Sequence, residues 1–204
     1  MILPTFAHPA LSQDRDWRAK RPPLGQPHTK AAVEWLGRRQ GRRDARIDID
    51  MMTPATIAAG LHASIDEALK LFSGVDERRT CIRPRPDKWC AREVLGHLID
   101  SACNNHRRFI VAQSGDIERF DGYEQNAWVS RQRYNDVPWR DLVALWTAYN
   151  RHLAHVIGCT PAAALAHAAL SPDGSRTQTL GFVMEDYVHH LRHHLSQLKA
   201  LLVS

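Results

Sequence analysis

The sequence holds no apolar run approaching the ~20 residues that a membrane-spanning helix needs, so no helical membrane span is expected. Its start, "MILPTFAHPALSQDRDW", lacks the basic lead and apolar core of a secretory signal. Acidic groups within the first fifty residues argue against an organelle transit peptide. Cysteine is scarce: the four, at 81, 90, 103 and 159, form no CxxC pair. Reduced thiols in a cytoplasmic protein explain them better than a disulfide framework. There is no convincing strand alternation and no internal repeat, which leaves helices to build the fold.

What is present is basic charge, and its location decides its meaning. Residues 1–50 carry ten Lys and Arg against six acids, which accounts for +4 of the chain's net +5. The remainder is close to neutral. The basicity thus belongs to a Pro- and Arg-rich extension that reads as solvated and disordered, without the interleaved aromatics of a nucleic-acid binder. A fresh beginning follows at "MMTP", where Thr53 suits a helix N-cap and Pro54 the first helical position. Met51 or Met52 is therefore open as the true start, with 51–204 as the folded domain.

Four helices are expected in that domain. The first runs from Pro54 to Ser73, with Ile57, Leu61, Ile65, Ala68 and Phe72 at helical spacing, and stops at Gly74. After the extended "RPRPDKW", a second begins beyond Trp89, where Cys90 and Glu93 occupy capping-box positions, and ends near Ser114 and Gly115. A long aromatic-rich loop, "GDIERFDGYEQNAWVSRQRYNDVPW", separates it from a third helix opened by Pro138 and closed at Gly158. "SPDGSRTQT" reads as a turn cluster before a fourth helix from Leu180 to Leu202. The arrangement predicted is an all-α four-helix bundle.

Histidine is the abundant chemistry, and four of the twelve fall within 189–194. At ~100° per residue, Leu191, Leu195, Leu198, Leu201 and Leu202 cluster with Tyr187 on one side of the last helix. His194 lies inside that cluster and His190 at its edge, while His189 and His193 fall among polar residues. Two imidazoles one turn apart on an apolar face can chelate one metal; the alternative is a pair of core histidines satisfied by hydrogen bonds. A further ligand must also face inward. His97, at the margin of its helix's apolar stripe with Ser101 and Asn104 beside it, is the best candidate. His62, His106, His152, His155 and His167 read as surface or hydrogen-bonded histidines.

"KWCAREVLGHLIDSACNNHRRF", "FDGYEQNAW" and "YVHHLRHHLSQL" together resemble the DinB-like superfamily, most closely its YfiT-type branch of metal-dependent hydrolases and thiol transferases. The resemblance covers 51–204 and not the extension. It implies a four-helix bundle with a divalent metal on His97, His190 and His194, the set that the helical wheel also favours. Cys90 stands where the family has Ser or Thr.

Three neutral imidazoles leave an open coordination position, as in catalytic zinc sites. Zinc or nickel leads among the metals, though manganese, iron and cobalt also accept histidine. Asp186, one turn before His190, and Asp100, beside His97 on its wheel, are candidates to orient the imidazoles. Tyr123, Glu124 and Trp128 line the substrate side if the long loop folds over the site. The expected reaction is transfer of a low-molecular-weight thiol to a small electrophile, with metal-dependent hydrolysis and non-enzymatic binding as rivals. The expected partner is a small-molecule substrate, neither membrane nor nucleic acid, with a homodimer left open.

Overall fold

The computed structural model describes residues 53–115, 118–120, 122–170 and 177–203. The expectations for the N-terminal extension lie outside the described residues. Five α-helices are described: α1 (Pro54–Phe72), α2 (Ala91–Val111), α3 (Gln125–Gln132), α4 (Trp139–Gly158) and α5 (Leu180–Val203). Local chemistry sets their starts. Thr53 accepts from the Thr56 N–H at 3.1 Å while the Thr56 hydroxyl accepts from the Thr53 N–H at 3.0 Å, and Pro54 needs no partner for its nitrogen. Glu93 accepts from the Cys90 N–H at 3.0 Å, so the capping box at α2 is completed by its acidic member. The Cys90 thiol turns instead to Asn135 Oδ1.

The four long helices form the bundle, and contacts between them fix their directions. On α1 and α4, Phe72 packs edge-on against Trp139 and Trp146, while Gly158 lies near Ala58, so the two are antiparallel. Phe109 meets Tyr187, and His97 meets His194, which makes α2 and α5 antiparallel. Arg192 of α5 donates to Ser64 and to the Gly60 carbonyl, and Leu195 and Lys199 share a groove with Ala68 and Leu71, so α1 and α5 are parallel. Arg92 at the start of α2 reaches the Val137 carbonyl just before α4, and His106 meets Tyr149, so α2 and α4 are also parallel. Each of α1 and α2 packs mainly on α4 and α5, which puts α1 diagonal to α2 and α4 diagonal to α5.

That topology explains the long connection after α2. A helix of 21 residues is ~31 Å long, and a parallel neighbour can begin only after the chain has travelled back along it. The return path is where the sequence reading needs correction. Within the expected loop lies α3, and where strands seemed absent there is a three-stranded sheet. Its strands are β1 (Glu118–Arg119), β2 (Ala168–Leu170) and β3 (Thr177–Thr179), with β2 central, parallel to β1 and antiparallel to β3. The sheet ties the return path to the connection before α5, and its Ala169, Leu170 and Gln178 line a cavity shared with α2 and α5.

Candidate metal centre

His97 sits in the second turn of α2, and its side chain is fully buried. His190 and His194, one turn apart on α5, are half-buried, whereas His189 and His193 are exposed. The antiparallel crossing of the two helices brings the three inward imidazoles together. One ring nitrogen from each lies within 4.8 Å of the other two, and no other such cluster occurs among the described residues. His190 Nε2 is 3.4 Å from His97 Nε2 and 3.1 Å from His194 Nε2.

Those separations discriminate between hydrogen bonding and metal binding. Gln197 orients the test: its amide nitrogen donates to His193 Nε2 at 2.9 Å, so its carbonyl faces His194 Nδ1, also at 2.9 Å. His194 therefore carries its proton on Nδ1 and keeps a lone pair on Nε2. His190 Nε2 holds either one proton or one lone pair. It can satisfy one of its two close neighbours by hydrogen bonding, never both. A cation satisfies all three at once, and ligand nitrogens at ~2.0–2.1 Å from one ion are themselves ~2.9–3.4 Å apart at ordinary coordination angles. The residues fit a metal.

Electrostatics favour the ligating form. Burial, reinforced by the other two imidazoles, holds His97 down from 6.5 to about 3. Burial and His194 take His190 to about 4, against an opposing pull from Asp186. His194 is lowered as well, again chiefly by burial. All three are neutral at neutral pH, with lone pairs available.

The neighbours sort by position. Trp89 lies against His97 with ring centroids 5.1 Å apart. Asp100, also buried, accepts from the Tyr134 hydroxyl at 2.7 Å and the Gln132 amide at 2.5 Å through Oδ1. Its Oδ2 and His97 Nδ1 are both buried without a partner, three residues apart on one helix. Tyr134 comes close because residue 96 is glycine: a Cβ there would stand 2.0 Å from its ring. Asp186 and Tyr123 line a cavity of about 280 Å³ that opens beside His190, while a second, wider groove reaches His194 from the Trp89 side. Trp128 backs Tyr123 at 4.8 Å, and Glu124 is exposed at the start of α3. His106 and His167 have partners in Tyr149 and the Ala112 carbonyl.

The DinB superfamily sequence profile matches residues 60–198, a stretch that includes all three histidines. The chain belongs to the DinB superfamily. A Halalkalibacterium halodurans protein named "Putative metal-dependent hydrolase" is 24% identical over 183 residues, covering 90% of this chain and 96% of its own length. An alignment of that length cannot fit within 51–204, so likeness to this relative extends into the N-terminal segment. YfiT from Bacillus subtilis, described as a probable metal-dependent hydrolase with an unusual four-helix bundle topology, superposes with a TM-score of 0.68 at 18% identity. That match covers 79% of this chain and 93% of YfiT, and it shows the bundle fold. Among the described residues no helix is long and apolar enough to cross a membrane.

Gln197 and Trp89 belong to the motifs that carry the family resemblance, but the sequence assigned neither a role at the site. Gln197 carried a usable signal, because it stands one turn beyond His194. Trp89 precedes its helix and meets His97 only through the turn at the α2 N-terminus.

Proposed function

We propose that this DinB-superfamily protein is a metal-dependent hydrolase acting on a small molecule, with His97, His190 and His194 as the ligands. The observation that supports it most is the convergence of three neutral imidazoles beside a cavity, with His190 contributing to the cavity wall. A divalent ion held by three histidines supplies Lewis acidity and lowers the pKa of water or a thiol bound to it. The names of the relatives agree with hydrolysis.

The chain's own groups supply the rest. Asp186 lines the cavity one turn from His190 and is placed to take a proton from attacking water. Tyr123 faces the same space, and burial together with the Asp100 charge pushes its phenol up to about 12. It stays protonated and can donate to an oxygen on which negative charge develops. Gln197 keeps the His194 lone pair on Nε2.

A second reading, thiol transfer to an electrophile, is favoured by one feature. Leu191 follows His190 directly, where H-E-x-x-H metalloproteases place a glutamate base. A thiolate needs no such base. The two separate in one assay that offers chromogenic esters and an aryl halide, each with and without low-molecular-weight thiols. Hydrolysis predicts ester cleavage that needs metal but no thiol and is absent in His190→Ala. Consumption of the aryl halide only when thiol is present, with no ester cleavage, would replace it by thiol transfer.

A further inference from the structure

The 280 Å³ cavity beside His190 contains a charge that the proposed chemistry leaves unused. Arg108 lines it from α2, eleven residues after His97, and so shares that histidine's face of the helix. The face reads His97, Ser101, Asn105, Arg108, a polar stripe leading from the buried ligand into the cavity. Arg108 Cα is ~16 Å from His97 along the axis. Helical side chains lean toward the N-terminus, which carries the guanidinium back toward the histidines.

Other arginines of the fold have partners whether half-buried, as Arg92 is, or exposed, as Arg83 and Arg192 are. Arg92 is bonded to Thr80, Asn135 and Glu77, Arg83 to Glu93, and Arg192 to Ser64. Among the described residues Arg108 makes no ion pair and no hydrogen bond, although it is half-buried and desolvation weighs against its charge. Asp186 is near enough to favour the charge yet forms no ion pair with it. Among the described residues the guanidinium's donors are therefore uncommitted, half-buried on a cavity wall where a ligand can reach them.

We propose that Arg108 receives a carboxylate on the substrate, so that the cavity selects small molecules bearing an anionic group remote from the bond that reacts. A planar fork matches a carboxylate bidentately. A single cation among the described lining residues, with Asp186 on the same wall, suits a monoanion better than a phosphate dianion. Ser101 and Asn105 add neutral polar groups along the path, and Phe120 and Leu180 supply apolar wall for a short hydrocarbon spacer.

This inference deepens the proposed function, but binding tests it without turnover. Metal-loaded protein is titrated calorimetrically with glutarate and with pentanoate, which match in length and differ by one carboxylate. Wild type should bind glutarate at least ~tenfold more tightly, the scale of one charge-assisted hydrogen-bonded pair. Arg108→Met should abolish that preference, and Arg108→Lys, which keeps charge without the fork, should retain only part of it. Melting temperature and metal content show whether each variant is folded; if Arg108→Met is not, the wild-type preference and Arg108→Lys still decide. Equal binding of the two acids by wild type, or a preference unaltered by either substitution, overturns the proposal. Loss of ester hydrolysis as the reaction, with the glutarate preference intact, would remove the hydrolase reading and leave this one standing.

Discussion

Gly96→Ala adds one methyl group beside the candidate ligand His97, and the structure gives its effect a sign. The new Cβ would stand 2.0–2.4 Å from three ring carbons of Tyr134, far inside van der Waals contact. Tyr134 is buried and its hydroxyl is held by Asp100, so its ring must leave the slot and the hydroxyl then loses that carboxylate. Overpacking of this kind costs ~1–3 kcal/mol, and the lost hydrogen bond to a carboxylate adds ~1.5–3 kcal/mol. Alanine recovers only ~1 kcal/mol through its better helix propensity. The net loss is ~1.5–5 kcal/mol, a fall in Tm of roughly 3–20 °C for a domain of this size. Thermal denaturation monitored by circular dichroism measures it, beside Tyr134→Ala and the double variant. With the ring removed, Gly96→Ala should turn neutral or slightly stabilising. A Gly96→Ala protein as stable as wild type, or a penalty that persists in the Tyr134→Ala background, would refute the reasoning.

Gln197→Leu removes the acceptor that keeps the His194 proton on Nδ1, and metal affinity measured against a competing chelator should fall ~10–100-fold. In metal-free protein, His97 and His190 titrate near 3 and 4 instead of 6.5, so the unfolded state binds protons that the native state refuses. Stability should therefore be flat above pH 6.5 and decline as pH falls toward those values, by up to ~1.4 kcal/mol per unit for each histidine; urea unfolding at stepped pH should show the decline, and a rise on acidification would contradict it. On the polar, charged composition of 1–50 alone, truncation to Met51 should leave Tm and metal content unchanged; a large loss of either would show that the segment belongs to the fold, in line with the likeness to a relative that extends into it.

The four long helices were legible because each buries a continuous stripe: Ile57, Leu61, Ile65 and Ala68 of α1 are all in the core. Helix α3 was not, since Val129 alone among its eight residues is buried, and one residue carries no period. Strands of two or three residues are too short to alternate. Nor could the sequence reveal that α1 and α2 are diagonal, because amphipathic stripes do not name their partners. At the site, the phase of His190 and His194 on α5 separated them from His189 and His193 before any tertiary contact was known. Arg108 shares the stripe of His97, but only the crossing of the helices shows that, among the described residues, no carboxylate forms an ion pair with it.

The central claim is that three histidines form one metal centre, and elemental analysis of purified protein tests it most directly. Wild type, His97→Ala, His190→Ala, His194→Ala and the exposed-face control His189→Ala should be expressed and analysed side by side. The account predicts about one equivalent of a divalent transition metal in wild type and in His189→Ala, and a small fraction of that in the other three, each still folded by circular dichroism. Wild type that takes up no metal even when loaded with zinc or nickel, or metal that survives in His190→Ala and disappears in His189→Ala, would contradict it.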